Sequence, residues 1–86
     1  MKTYDVALSN DSCVFDSGKF TSPESIMEWA SRRGGRYVLQ VGVVGGKDCP
    51  ASFSTYNGRK WARYTPWDGW NDLTKKEVVE MISQMQ

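Results

Sequence analysis

The dipeptide Asn57-Gly58 separates two runs of strand-forming residues, 51–56 and 59–64, and narrows the folding options more than any other pair in the chain. A two-residue hairpin loop of type I′ needs positive φ at both central positions, which Asn followed by Gly tolerates best. With those two residues as the whole loop, Tyr56 is expected opposite Arg59, Ser54 opposite Trp61 and Ser52 opposite Arg63. The other face then carries Phe53 with Ala62, Ala51 with Tyr64 and Thr55 with Lys60. This register makes the second set a core surface. It places Tyr56, Arg59, Trp61 and Arg63 together on the solvent side.

The remaining elements follow from local signals. Tyr4, Val6 and Leu8 alternate with Thr3, Asp5, Ala7 and Ser9, the period of a half-buried strand. Asn10-Asp11-Ser12 reads as a turn, and Cys13-Val14-Phe15 as a short return strand ended by Asp16-Ser17-Gly18. Ser22 is placed to cap a helix with Pro23 in its first position, and Thr21 with Glu24 offers an alternative capping box. Ile26, Trp29, Ala30 and the stem of Arg33 form its inward stripe, Glu28 and Arg32 an i,i+4 pair, and Gly34-Gly35 a left-handed stop. Residues 36–44 are apolar on both faces, as a central strand is, and Gly42 is expected to leave room for Trp61. Residues 65–71 read as a turn-rich loop carrying Trp67 and Trp70. Thr74 and Glu77 form a capping box, Leu73 a staple on Val78, and Val78, Met81, Ile82 and Met85 the buried stripe of a last helix. The order β-β-α-β-β-β-α predicts an α+β fold: a single domain over residues 1–86, an antiparallel sheet of four to five strands, and two helices on one face.

Charge is distributed in blocks. Residues 1–31 hold Lys2 and Lys19 against five acids, and residues 64–86 hold Lys75 and Lys76 against four. Between them lie Arg32, Arg33, Arg36, Lys47, Arg59, Lys60 and Arg63, opposed by Asp48 alone. The basic middle is either folded back against its acidic flanks or offered to an acidic partner.

Several chemistries have no residues to carry them. The chain has no histidine, which removes the commonest general base, the nucleophile pairs built on it and the commonest metal ligand. Cys13 and Cys49 are too few for a four-ligand zinc site; a disulfide is open to them, but reduced thiols are the expectation inside a cell. Residues 42–47 glance at a phosphate loop, but the first glycine is too close and Asp48 stands where Ser or Thr is needed. Asp68 and Asp72 read as solubilising loop acids rather than an acid–base pair. No enzyme activity, cofactor or metal is expected. The first residues lack the apolar run of a secretory signal and no stretch approaches a membrane span, so a soluble, cytoplasmic protein is expected.

Three binding features remain. The hairpin's polar face offers Tyr56, Arg59, Trp61 and Arg63, with Lys60 near the tip. Trp, Tyr and Arg dominate the energetics of protein interfaces, and the same residues stack bases and neutralise phosphates. Trp67 and Trp70 either form a ligand platform or plug the open end of the sheet–helix sandwich. Lys75 and Lys76, in the first turn of the last helix, oppose its dipole unless an anion compensates.

From Pro23 onward the order α-β-β-β-α, with Thr74-Lys75-Lys76 opening the last helix, resembles the double-stranded-RNA-binding domain in outline. The chain departs from that pattern in having no Gly-Pro-x-His loop after its central strand, and Val79 where a third lysine belongs. It also carries some twenty leading residues with no place in that module and lacks the alanine-rich last helix.

The leading expectation is a non-catalytic protein–protein interaction module, binding an acidic partner or a second copy of itself through Tyr56, Arg59, Lys60, Trp61, Arg63, Trp67 and Trp70. Its size and style suit a modulator or inhibitor of the kind phages and plasmids encode. The alternative is a nucleic-acid-binding domain that contacts the backbone of double-stranded RNA or DNA through Arg32, Arg33, Arg36, Lys75 and Lys76.

Overall fold

In the computed structural model, which describes residues 2–86, Met1 of the N-terminal segment read above lies outside the described residues. The elements are β1 (Tyr4–Ser9), β2 (Val14–Phe20), α1 (Pro23–Ala30), β3 (Arg36–Val43), β4 (Ala51–Tyr56), β5 (Lys60–Thr65), β6 (Gly69–Leu73) and α2 (Lys75–Ser83). Both helices begin where their caps require. The Ser22 hydroxyl accepts from the Ser25 amide with Pro23 in the first position, and Thr74 and Glu77 form a reciprocal capping box. α1 ends at Ala30, and Gly35 at φ +80° turns the chain into β3.

The strands form one antiparallel sheet in the order β2-β1-β3-β4-β5-β6, six strands where four to five were expected. β6 is the added strand, and β2, already expected, is longer than its residue types suggest. β2 runs straight through Asp16-Ser17-Gly18 instead of ending there, because backbone pairing to β1 places Gly18 opposite Val6 and Asp16 opposite Leu8. The end of the supposed Trp loop is β6, an edge strand paired with β5 from Trp61↔Leu73 to Thr65↔Gly69.

One sheet face is apolar and covered. Tyr4, Val6 and Leu8 of β1, Tyr37, Leu39 and Val41 of β3, Phe53 of β4 and Trp61 of β5 join Ile26, Met27 and Ala30 of α1 and Val78 and Ile82 of α2 in one buried cluster. The alternate residues of the same strands look away from the helices.

The β4–β5 tip overturns the expected register. Asn57 and Gly58 do take positive φ, +58° and +67°, and the Arg59 amide donates to the Tyr56 carbonyl at 3.1 Å. The ladder, however, resumes at Tyr56↔Lys60, then Thr55↔Trp61 and Ser54↔Ala62, so Arg59 is an extra residue in a three-residue tip. A slip of one residue sends every following side chain to the opposite face. Trp61 is therefore core, 2% exposed, and not part of a solvent-facing patch; Gly42 faces Pro50 instead of making room for it. The energetics favour this arrangement. Burying an indole removes about 150–250 Å² from water, worth roughly 4–6 kcal/mol, against about 1 kcal/mol for one disrupted ladder position.

Candidate functional site

Both helices lie against the same sheet face, so the other face is left open. Antiparallel register aligns its residues in rows across the strands. Ser9, Val38, Ser54, Ala62 and Asp72 form one row, and Arg36, Tyr56 and Lys60 the next toward the hairpin tip. The first row is mostly small, the second long. The result is a trough of about 430 Å³ with Val38, Ser54 and Ala62 among its floor residues, the Arg36–Tyr56–Lys60 row as a wall and Trp70 at one end. Asp72 beside Trp70 and Asp11 of the β1–β2 turn also border it.

Tyr56 and Trp70 line this trough, and two further exposed aromatics, Tyr64 and Trp67, lie on β5 and on the β5–β6 turn. Tyr56 is 52% exposed, Tyr64 57%, Trp70 64% and Trp67 79%. Tyr64 and Trp70, paired across β5 and β6, meet edge to face with ring centroids 5.6 Å apart. Trp67 projects from the β5–β6 turn, so neither tryptophan plugs the sandwich.

The residues singled out in the sequence separate into three places. Tyr56, Lys60 and Trp70 gather at the trough, together with Arg36 from the alternative set. Trp61 and Arg63 turn to the helix side. The Arg63 guanidinium lies 6.0 Å from the Phe53 ring centre and 3.9 Å from Met81 Sδ, half-buried beneath α2. Arg59, in the tip, joins Arg32, Arg33 and Lys75 around a second concavity of about 500 Å³ at the helix ends. Lys76 is exposed in the first turn of α2. Tyr64, Val38, Ser54 and Ala62 were not marked by the sequence reading. Tyr64 would have been, had the tip been read with three residues.

The ion pairs of the described residues are two: Glu28–Arg32 at 2.9 Å and Asp16–Arg33. Each joins an acid of the first 31 residues to an arginine at the start of the basic middle. Among the described residues, Arg36, Arg59, Lys60 and Lys75 have no carboxylate in ion-pair contact. No three acidic or cysteine side chains converge there as metal ligands would, and no helix is long and apolar enough to cross a membrane.

Compared with models of protein families, with curated proteins and with solved structures, the chain matches none.

Proposed function

We propose that this chain is a non-catalytic protein-interaction domain that receives a segment of a partner protein on the open face of its sheet. The observation that carries the reading is the presence of Tyr56 and Trp70 in the lining of a trough with Val38, Ser54 and Ala62 on its floor, and of Tyr64 packed edge to face on Trp70, all three aromatics more than half exposed. Large exposed apolar patches are rare on proteins that bind nothing. Interface energy concentrates on Tyr, Trp and Arg anchors beside pockets. The favoured partner segment seats an apolar side chain on the small-residue floor and sets an acidic residue beside Arg36 and Lys60. Modulation or inhibition of a cytoplasmic partner, as phage- or plasmid-borne proteins of this size perform, is the role such a surface suits.

Affinity capture with the wild-type chain and with Tyr56→Ala/Trp70→Ala, followed by calorimetry of the purified pair, tests the reading. Two anchors at about 1–2 kcal/mol each predict a loss of roughly 30-fold or more in the double variant, with its melting temperature preserved. A purified pair that binds both forms equally would reject it. Light scattering identifies the case in which the partner is a second copy: the wild type is then dimeric and the double variant monomeric.

A further inference from the structure

We propose that the cleft between the end of α1, the β4–β5 tip and the start of α2 binds a phosphate-type oxyanion, independently of the sheet face. The tip is clamped onto the α1–β3 connection at two points. The Asn57 amide donates to the Gly35 carbonyl at 2.8 Å, and Asn57 Oδ1 accepts from the Gly35 amide at 2.6 Å. Gly58 is buried so closely on Ser31 that a Cβ there would stand 2.3 Å from the Ser31 carbonyl oxygen. This contact holds Arg59 beside Arg32 and Arg33, while α2 brings Lys75 from the other side.

Four cations from three separate chain segments thus line one concavity of about 500 Å³, and no carboxylate lines it. Arg32 and Arg33 have acidic partners outside it; Arg59 and Lys75 have none among the described residues. The end of α1 would ordinarily present negative carbonyls here. Instead the Met27 carbonyl accepts from the Ser31 amide, that of Trp29 from Arg33, and that of Ala30 from the Tyr37 hydroxyl. Three carbonyls of the helix end thus have donors, and Arg59 and Lys75 line the cleft with no carboxylate in ion-pair contact among the described residues. Holding like charges together is unfavourable unless an anion joins them. Forked guanidinium donors suit the several oxygens of a phosphate group. The sheet-face trough differs in this respect, because carboxylates, Asp11 and Asp72, line it together with Arg36 and Lys60.

The phosphate has two sources to distinguish, a small phosphorylated ligand and a nucleic-acid backbone. Amide NMR titrations at low ionic strength with pyrophosphate, and separately with a short RNA duplex, are to be run on the wild type, on Arg59→Ala/Lys75→Ala and on Arg36→Ala/Lys60→Ala. Thermal melting checks that each variant folds, with the Arg59→Gln and Lys75→Gln single variants replacing the first if it does not. Expected are saturable shifts at Gly34, Gly58 and Lys75, weakened tenfold or more in the cleft variant and unchanged in the sheet-face variant. Binding of the duplex, with a salt slope flattened by about 2 in the cleft variant, identifies the nucleic-acid source; binding of pyrophosphate alone identifies the small ligand. Failure of both probes to saturate, or loss of binding only in the sheet-face variant, overturns the proposal. Neither result touches the protein-interaction reading, which rests on other residues.

Discussion

Trp61 stands directly across the β4–β5 ladder from Thr55, one position away from the Ser54 that a two-residue loop would have given it. Its indole lies in the core and its Nε1 is buried without a hydrogen-bond partner, while Tyr64, three residues on, is exposed. Trp61→Ala is therefore expected to cost about 3–5 kcal/mol in urea unfolding, and Tyr64→Ala under about 1 kcal/mol. Trp61→Phe should cost less than the alanine change, since it keeps most of the ring volume and removes the stranded N–H. Equal effects of the two alanine variants would contradict the register.

What the sequence made legible was whatever depends on residues a few positions apart. The Ser22 and Thr74 caps, Pro23 at the helix start and positive φ at Asn57-Gly58 all came through, because each is decided within one turn of chain. The length of the tip did not, because the burial of Trp61 against distant residues decided it. The length of β2 is hidden for a similar reason: Asp16, Ser17 and Gly18 are turn-formers, yet pairing with β1 and the Arg33–Asp16 contact hold them extended. β6 lacks alternating hydrophobicity and exists through its backbone bonds to β5. At the candidate site, Tyr56, Lys60 and Trp70 were recognisable from residue type. Val38, Ser54 and Ala62 carry no signal until register sets them side by side.

Gly58 and Gly45 separate packing from backbone preference. Both have positive φ, +67° and +69°, but a Cβ at Gly58 meets the Ser31 backbone while one at Gly45 meets nothing within 4 Å. Alanine at Gly45 should cost only the left-handed penalty of about 1–2 kcal/mol. Alanine at Gly58 should cost distinctly more, and should shift the amide resonances of Gly34, Gly35 and Ser31. Equal unfolding free energies for the two variants would mean that the tip is not seated on α1.

The β3–β4 loop holds the backbone of Gln86. The amides of Lys47 and Asp48 donate to its oxygen at 2.8 and 2.7 Å, and its own amide donates to Asp48 Oδ2 at 2.8 Å. A Cβ on Gly46 would lie 2.7 Å from that oxygen. Gly46→Ala and Asp48→Ala are both expected to speed hydrogen exchange at Lys47, Asp48 and Gln86 about tenfold, which corresponds to about 1.4 kcal/mol of local opening. Exchange at Val6 and Leu39, in the core strands, should not change.

Cys13 and Cys49 are both exposed and both free. Cys13 lies beyond Ser9, which pairs with Val38, and Cys49 precedes Ala51, which pairs with Val41. At about 3.3 Å per residue and 4.8 Å per strand, they are separated by roughly 20 Å, far beyond the ~6 Å between Cα atoms that a disulfide spans. A thiol reagent should therefore titrate both in the native protein at the rate of an exposed cysteine, with no change on prior reduction. A single reactive thiol, or none, would contradict the placement of these two loops.

Tyr37 gives the fold a dependence on alkaline pH. Its side chain is buried in the core, and its hydroxyl donates to the Ala30 carbonyl at 2.5 Å and to that of Arg33 at 3.3 Å. Burial raises its pKa above the ordinary 10.0, with the nearby Arg33 charge pulling partly the other way. Below about pH 10 the hydroxyl keeps its proton in both folded and unfolded chains and stability does not respond. Above it the unfolded chain releases the proton while the folded one retains it, so the unfolded state gains and stability falls as pH rises toward the folded value. Tyr37→Phe should lower stability at neutral pH by about 1 kcal/mol, through the lost hydrogen bond and the unpaired Ala30 carbonyl. It should also remove Tyr37's share of the alkaline slope, which the open-face control Tyr56→Phe retains. Urea unfolding between pH 7 and 11 measures both effects, and an undiminished slope in Tyr37→Phe would show that the hydroxyl is not held as described.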